Sequence, residues 1–148
     1  MTRLNKAVIG FKGLVDSISV LIQEWHPPVL RTEIEYSNTL ARYLRERLPE
    51  DARIEREYRH EGTTCDLGLC YKGMLSEDLV LFEVKRNLQK KSDYDRLVGQ
   101  VEGLKPKKNG VMVILVGETD PALLGRLREQ FKSYQEWSEE TFRIIEVK

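Results

Sequence analysis

Three residues have types and spacing that could do chemistry: Asp66, Glu83 and Lys85. Glu83 and Lys85 close an otherwise apolar run that begins at Leu79. Such a run reads as a strand, and side chains alternate faces along a strand. Leu79, Leu81, Glu83 and Lys85 then share one face, with Val80, Phe82 and Val84 on the other. Asp66 lies on the preceding strand, across a turn from Gly73 to Glu77. An unpaired charge is costly to bury, so charges at the end of an apolar strand need partners. Two neighbouring carboxylates on a rigid sheet suit a hard divalent cation. Mg²⁺ is held by one or two carboxylates, with water and substrate phosphate completing its shell. A cation so placed polarises a phosphoryl oxygen, and a lysine beside it holds the attacking water or offsets charge on the phosphate. This is chemistry for cutting a phosphodiester. The competing account is an ion pair of Lys85 with Glu83 or Asp66. It leaves two acids for one amine, and close like charges need a cation or a raised pKa.

The elements that must position these residues follow from periodicity. Val8, Phe11, Val15, Ile18, Ile22 and Trp25 make one helical stripe over residues 4–25, weakened at Gly10 and Gly13 and stopped by His26-Pro27-Pro28. The stripe suits packing within the chain or, alternatively, against the same helix of a second copy. Thr32 can cap a second helix running to Leu48, with Ser37, Leu40, Ala41, Leu44 and Leu48 inward. Glu33 falls at the edge of that stripe and Glu35 nearly opposite it, while both acids also suit the positive helix end. Arg53–His60 reads as a solvated edge strand, followed by the Asp66 and Glu83 strands in an antiparallel meander. Ser92 or Asp93 caps a helix to Leu104, with Gln100 near the margin of its apolar stripe. Val111–Val116 is a continuous apolar run, a strand buried on both faces and joined by a parallel crossover. A helix from Pro121 to Tyr134 and a strand over Thr141–Val147 complete the order. The fold class is α/β: a mixed sheet, with the meander and a parallel crossover strand flanked by helices.

At this point the sequence resembles the PD-(D/E)xK nucleases, the restriction-endonuclease-like superfamily. The resemblance rests on Asp66, the gap that follows, Glu83-Val84-Lys85, and the order of elements from Thr32 to Val116. Cys65 stands where the family's name has a proline. The resemblance implies that Asp66 and Glu83 bind Mg²⁺ or Mn²⁺ and that Lys85 assists the attacking water. It also implies that Glu33, or less favourably Glu35, adds an acid to the metal site. Gln100 would match a glutamine that several subfamilies carry on the helix after the motif. The implied activity is metal-dependent hydrolysis of nucleic-acid phosphodiesters, with DNA favoured over RNA. The alternative is a catalytically inactive nucleic-acid-binding or assembly module on the same fold.

Length and charge fit this reading. A chain of 148 residues suits one domain: residues 1–28 as an N-terminal helix and break, 32–116 as core, and 117–148 as a C-terminal helix and strand. With 24 basic and 24 acidic residues the net charge is zero, so any surface for nucleic acid must be local. Between Lys85 and Lys108 such a surface exists. Lys85, Arg86, Lys90, Lys91, Arg96, Lys105, Lys107 and Lys108 outnumber Asp93, Asp95 and Glu102. Lys85, Arg86, Lys90 and Lys91 are the candidate phosphate contacts, beside the reading of a merely solvated charged face. Cys65 and Cys70 differ in strand parity and are expected on opposite faces, unbridged, as in a reducing compartment. No apolar run is long enough to span a bilayer, and no signal peptide is evident, so a cytoplasmic location without membrane attachment is expected. There is no phosphate-binding loop ending in Lys-Ser/Thr, no His-Glu-x-x-His and no Gly-x-Ser-x-Gly.

Overall fold

A computed structural model describes residues 3–73, 77–106, 108–137 and 142–148. Five strands form one mixed sheet: β1 (Arg53–His60), β2 (Thr63–Lys72), β3 (Glu77–Arg86), β4 (Gly110–Val116) and β5 (Phe142–Glu146). Their spatial order equals their chain order. The first three are antiparallel, whereas β4 lies parallel to β3 and β5 parallel to β4. The expected meander and crossover are both present. The tip of the β2–β3 turn, residues 74–76, lies outside the described residues, as do Lys107 and Thr141.

Helices cover both faces of the sheet. Alternation sends Val80, Phe82 and Val84 of β3, with Met112 and Ile114 of β4, toward α2 (Leu14–Gln23) and α3 (Glu33–Arg47). Leu81, Val111, Val113 and Leu115 face the other way, toward α4 (Lys91–Gly103) and α5 (Pro121–Gln130). Every residue of β4 after Gly110 is buried, the outcome its unbroken apolar run implied. Asp120 caps α5 through Ala122 N, and Pro121 takes the first helical position, where its missing N–H is not needed.

Three helix expectations need correction. The N-terminal stripe is not one helix. It divides into α1 (Lys6–Lys12) and α2 at Gly13, whose φ of 92° only glycine adopts freely. The break re-phases the first half, so Ile9 and Leu14 are buried and Val8 is exposed. The side chain of Phe11 lies outside the described residues. From Leu14 onward Val15, Ile18, Ile22 and Trp25 sit in the chain's own core. At the other end, α5 stops at Gln130 and a separate α6 (Lys132–Trp137) follows. Finally, α4 begins at Lys91 with Lys90 at its cap and no side-chain cap bond, so Ser92 and Asp93 lie inside its first turn.

The feature that shapes the site is a split in the sheet. The β2–β3 ladder runs from Lys72↔Glu77 to Leu67↔Phe82 and stops there. Asp66 is likewise skipped in the β1–β2 ladder, opposite Glu57, which has a φ of 50°. Beyond this kink the β1–β2 tip leaves β3 and docks on the end of α4, where Thr63 Oγ1 donates to Gly103 O at 3.3 Å. The kink also breaks side-chain parity. Leu67 packs toward α3, yet Cys65, two residues earlier, packs toward α4. Tyr58 lies on that same α4 side, crosses Gly68 where a Cβ would strike its ring, and brings its hydroxyl to Cys70 Sγ. The two thiols therefore share a side instead of opposing each other, and both are free.

Candidate active site

Asp66 stands where β2 parts from β3. Val84 N–H, which a continuing ladder would have paired with β2 backbone, donates instead to Asp66 Oδ2 at 2.7 Å. The carboxylate thus fills the gap opened by the split. Glu83, only 4% exposed, is hydrogen-bonded to Asp66. Its pKa is pushed up to about 9, first by burial, then by the charge of Asp66, the bond to it and the charge of Glu33, with Lys85 opposing. Asp66 is also raised by burial, held back by Val84 N–H and the bond from Glu83. Burial and the two like charges favour a proton shared by the pair over double ionisation. Two acids this close in a poorly solvated place cannot both ionise without a cation.

Lys85 is not that cation. Its Nζ lies 3.2 Å from Glu33 Oε2 and 3.9 Å from Asp93 Oδ1. The ion pair considered above, Lys85 with Glu83 or Asp66, is therefore not its resting arrangement. Glu33 opens α3, and its Oε2 also accepts Arg86 N–H at 2.9 Å, which ties the helix start to the end of β3. Glu35 serves its own helix instead. Thr32 caps Glu35 N–H and donates its hydroxyl to Glu35 Oε1 at 3.0 Å. Of the two helix acids, Glu33 is the one turned to the site.

Asp93 is a site residue that sequence reasoning passed over as a helix cap. Its signal was position: an acid in the first turn of the helix that follows Lys85 in the chain. Gln100 lies seven residues further on, on the same face of α4 and about 10 Å along its axis. It is exposed, and among the described residues nothing joins it to the two acids. Arg86 is half-buried and donates from Nε to Leu30 O at 3.2 Å. Lys90 and Lys91 are exposed at the start of α4, and Lys91 bonds Asp95. Lys105 and Lys108 lie at the other end of α4 and pair with Glu61, so the basic stretch is divided in two. The Cys65 thiol is pushed up to about 12 by burial and by the neighbouring Glu83, and is inert as a nucleophile.

Among the described residues no group of three or more His, Cys, Asp or Glu is gathered as a ready cation cage. No described helix is long and apolar enough to cross a membrane.

No protein-family model matches the sequence, and no curated protein matches it. Among solved structures the chain is similar to Pyrococcus furiosus SfsA, a structure in complex with Ca²⁺, at 16% identity and a TM-score of 0.40. The match covers 76% of this chain and 52% of that one, so the chain spans about half the length of SfsA. No family assignment follows from likeness at that level.

Proposed function

We propose that the chain is a Mg²⁺- or Mn²⁺-dependent nuclease of the PD-(D/E)xK type, acting on DNA phosphodiesters. The observation that carries the reading is the placement of half-buried Asp66 and buried Glu83 against each other at the split in the sheet, beside a lysine paired with Glu33 and Asp93. The donor set fits a hard cation: two carboxylates on a rigid sheet, the number Mg²⁺ takes from protein when water and phosphate supply the rest. Asp66 and Glu83 would hold it, with Glu33 close enough to Lys85 to serve as a third acid or as the amine's anchor. When bound, the cation supplies Lewis-acid polarisation of a phosphoryl oxygen and acidifies water.

The chain's own residues do the rest. Asp66 is oriented by Val84 N–H, so its carboxylate does not swing. Lys85 is held by Glu33 and Asp93 on the α4 side of β3, where its ammonium donates to an incoming water or a non-bridging phosphoryl oxygen. Water attacks phosphorus in line as the bond to the leaving sugar oxygen breaks, and the leaving oxygen takes up a proton. Arg86, Lys90 and Lys91 meet neighbouring phosphates, and Gln100 faces substrate rather than the acids.

The test is cleavage of plasmid, linear duplex and single-stranded DNA with Mg²⁺ or Mn²⁺, with and without chelator, beside Glu83→Ala. Cutting that needs metal and is lost in the folded variant is the expected result. No cutting of any substrate by folded wild-type protein overturns the proposal.

A further inference from the structure

We infer that Asn87 is a positioning residue for the proposed reaction: it latches the β3–α4 loop to the β4–α5 loop and so sets Asp93 against Lys85. The inference rests on the nuclease reading above and goes beyond the residues assigned there. Asn87 is the first residue after β3 and stands two beyond Lys85. Its φ of 53° lies in the left-handed region, which asparagine tolerates better than most residues and glycine best. Asn87 N–H donates to Val116 O at 3.0 Å, and Asn87 Oδ1 accepts Glu118 N–H at 2.8 Å. One residue thus bonds backbone on both sides of Gly117.

Gly117 completes the fit. Its φ is 74°, and a Cβ added there would stand 2.2 Å from Asn87 Oδ1. The close approach of the amide therefore requires glycine opposite it. The tie continues along the loop. Leu88 is fully buried, and its carbonyl accepts Asp120 N–H at 2.8 Å. Gln89 Nε2 donates to Glu118 Oε2 at 3.4 Å. Three successive residues after β3 are thereby held to the loop after β4.

What the latch carries is the start of α4. That helix begins at Lys91, and Lys90 at its cap makes no side-chain cap bond. A helix end without its own cap is placed by its packing and by the chain that leads into it. Here that chain is the latched loop. Asp93 sits in the first turn, and its Oδ1 lies 3.9 Å from Lys85 Nζ. At that separation a small displacement of the helix start decides whether the contact persists. Folding alone gives Asn87 little reason to be asparagine. Its bond to Glu118 N–H lies at the surface, where water would replace it, and glycine suits the backbone angle better.

The experiment compares wild type, Asn87→Gly, Asn87→Asp, Asp93→Asn and the double variant N87G/D93N. Asn87→Gly keeps the left-handed backbone and removes the latch, whereas Asn87→Asp keeps an acceptor oxygen. Two readouts are taken: plasmid cleavage kinetics with Mg²⁺, and the NMR resonance of the Lys85 ammonium, assigned by its loss in Lys85→Ala. Asn87→Gly is expected to melt within about 3 °C of wild type. It should lower kcat by about tenfold, with KM within about twofold, and shift the Lys85 resonance in the direction that Asp93→Asn shifts it. N87G/D93N should be no slower than the slower single variant, because both act through one contact. Asn87→Asp should restore kcat and the resonance together. An Asn87→Gly protein with wild-type kcat or an unmoved Lys85 resonance overturns the inference. So does additive loss in the double variant, or a defect that Asn87→Asp shares. An Asn87→Gly chain that fails to fold also overturns it, since Asn87 is then needed for the fold itself. A wild type that cuts no DNA, with the Lys85 resonance responding as expected, keeps the latch and removes only the nuclease reading.

Discussion

Glu61 and Asp66 lie on the same hairpin, and their surroundings are opposites. Glu61 is at the turn, where Lys108 approaches to 3.0 Å and Lys105 to 3.4 Å. The Lys108 hydrogen bond leads the causes that hold its carboxyl below the usual range. Half-buried Asp66 and buried Glu83 face each other, and both are held above that range, chiefly by loss of solvent. A structural acid is given its cation by the chain. The acids at the sheet's split are given each other, with the nearest lysine turned to Glu33 and Asp93. That difference is what the proposed cation seat rests on.

Substitutions on either side of this contrast should differ widely in effect. The largest is expected at the pair: Glu83→Ala or Asp66→Ala removes metal-dependent cleavage to below detection, measured on plasmid. Lys85→Ala loses on the order of 10²–10³ in kcat, the scale for one lost transition-state donor. Glu33→Gln releases one of the two anchors of Lys85 and lowers kcat by about tenfold, the lower end for outer-shell partners.

Stability against pH separates the two kinds of acid by sign. Glu83 has an ordinary carboxylate value of 4.5 and is pushed up to about 9 when folded. The folded protein therefore binds this proton more tightly than the unfolded chain. The stability this contributes is full below the ordinary value and is lost as pH rises toward 9. Melting in chelator should show Tm falling between pH 5 and 9. Glu83→Gln should flatten that fall and melt several degrees higher than wild type at pH 8, at about 2–4 °C per kcal/mol for a chain of this size. Glu61 carries the opposite sign. Its folded pKa is lowered, so its contribution is present above the ordinary value and is lost as pH falls below it. The smallest effect is expected here: Glu61→Gln shifts Tm at pH 7 by about 1 °C, and added salt erases the shift.

Much of the site was legible because strand parity is local. Alternation alone put Glu83 and Lys85 on one face of β3, and in the structure Glu83 meets Asp66 while Lys85 meets Asp93 and Glu33. Helix angle favoured Glu33 over Glu35, and the Thr32-x-x-Glu35 spacing of a capping box also assigned Glu35 to its own helix. The break at Gly13 showed only as weakened propensity, since a positive φ leaves no mark beyond the glycine itself. The parity of Cys65 failed for a different reason. Alternation assumes an unbroken strand, and the kink at Glu57 and Asp66 reverses it. That reversal accompanies the docking of the hairpin tip on α4, a contact between Thr63 and Gly103 that no pattern within a strand encodes. Asp93 was missed similarly, because its role depends on α4 beginning at Lys91, two residues before it.

Whether the split in the sheet seats a cation is decided by calorimetric titration of Mn²⁺ into wild type, D66N/E83Q and Lys85→Ala, all checked for folding. One site is expected in wild type and none in D66N/E83Q. Lys85→Ala should retain binding without cleavage, which separates the seat from the amine that uses it. Mn²⁺ binding that survives in D66N/E83Q, or a folded wild type that binds none, would show that the Asp66–Glu83 pair is not a cation seat.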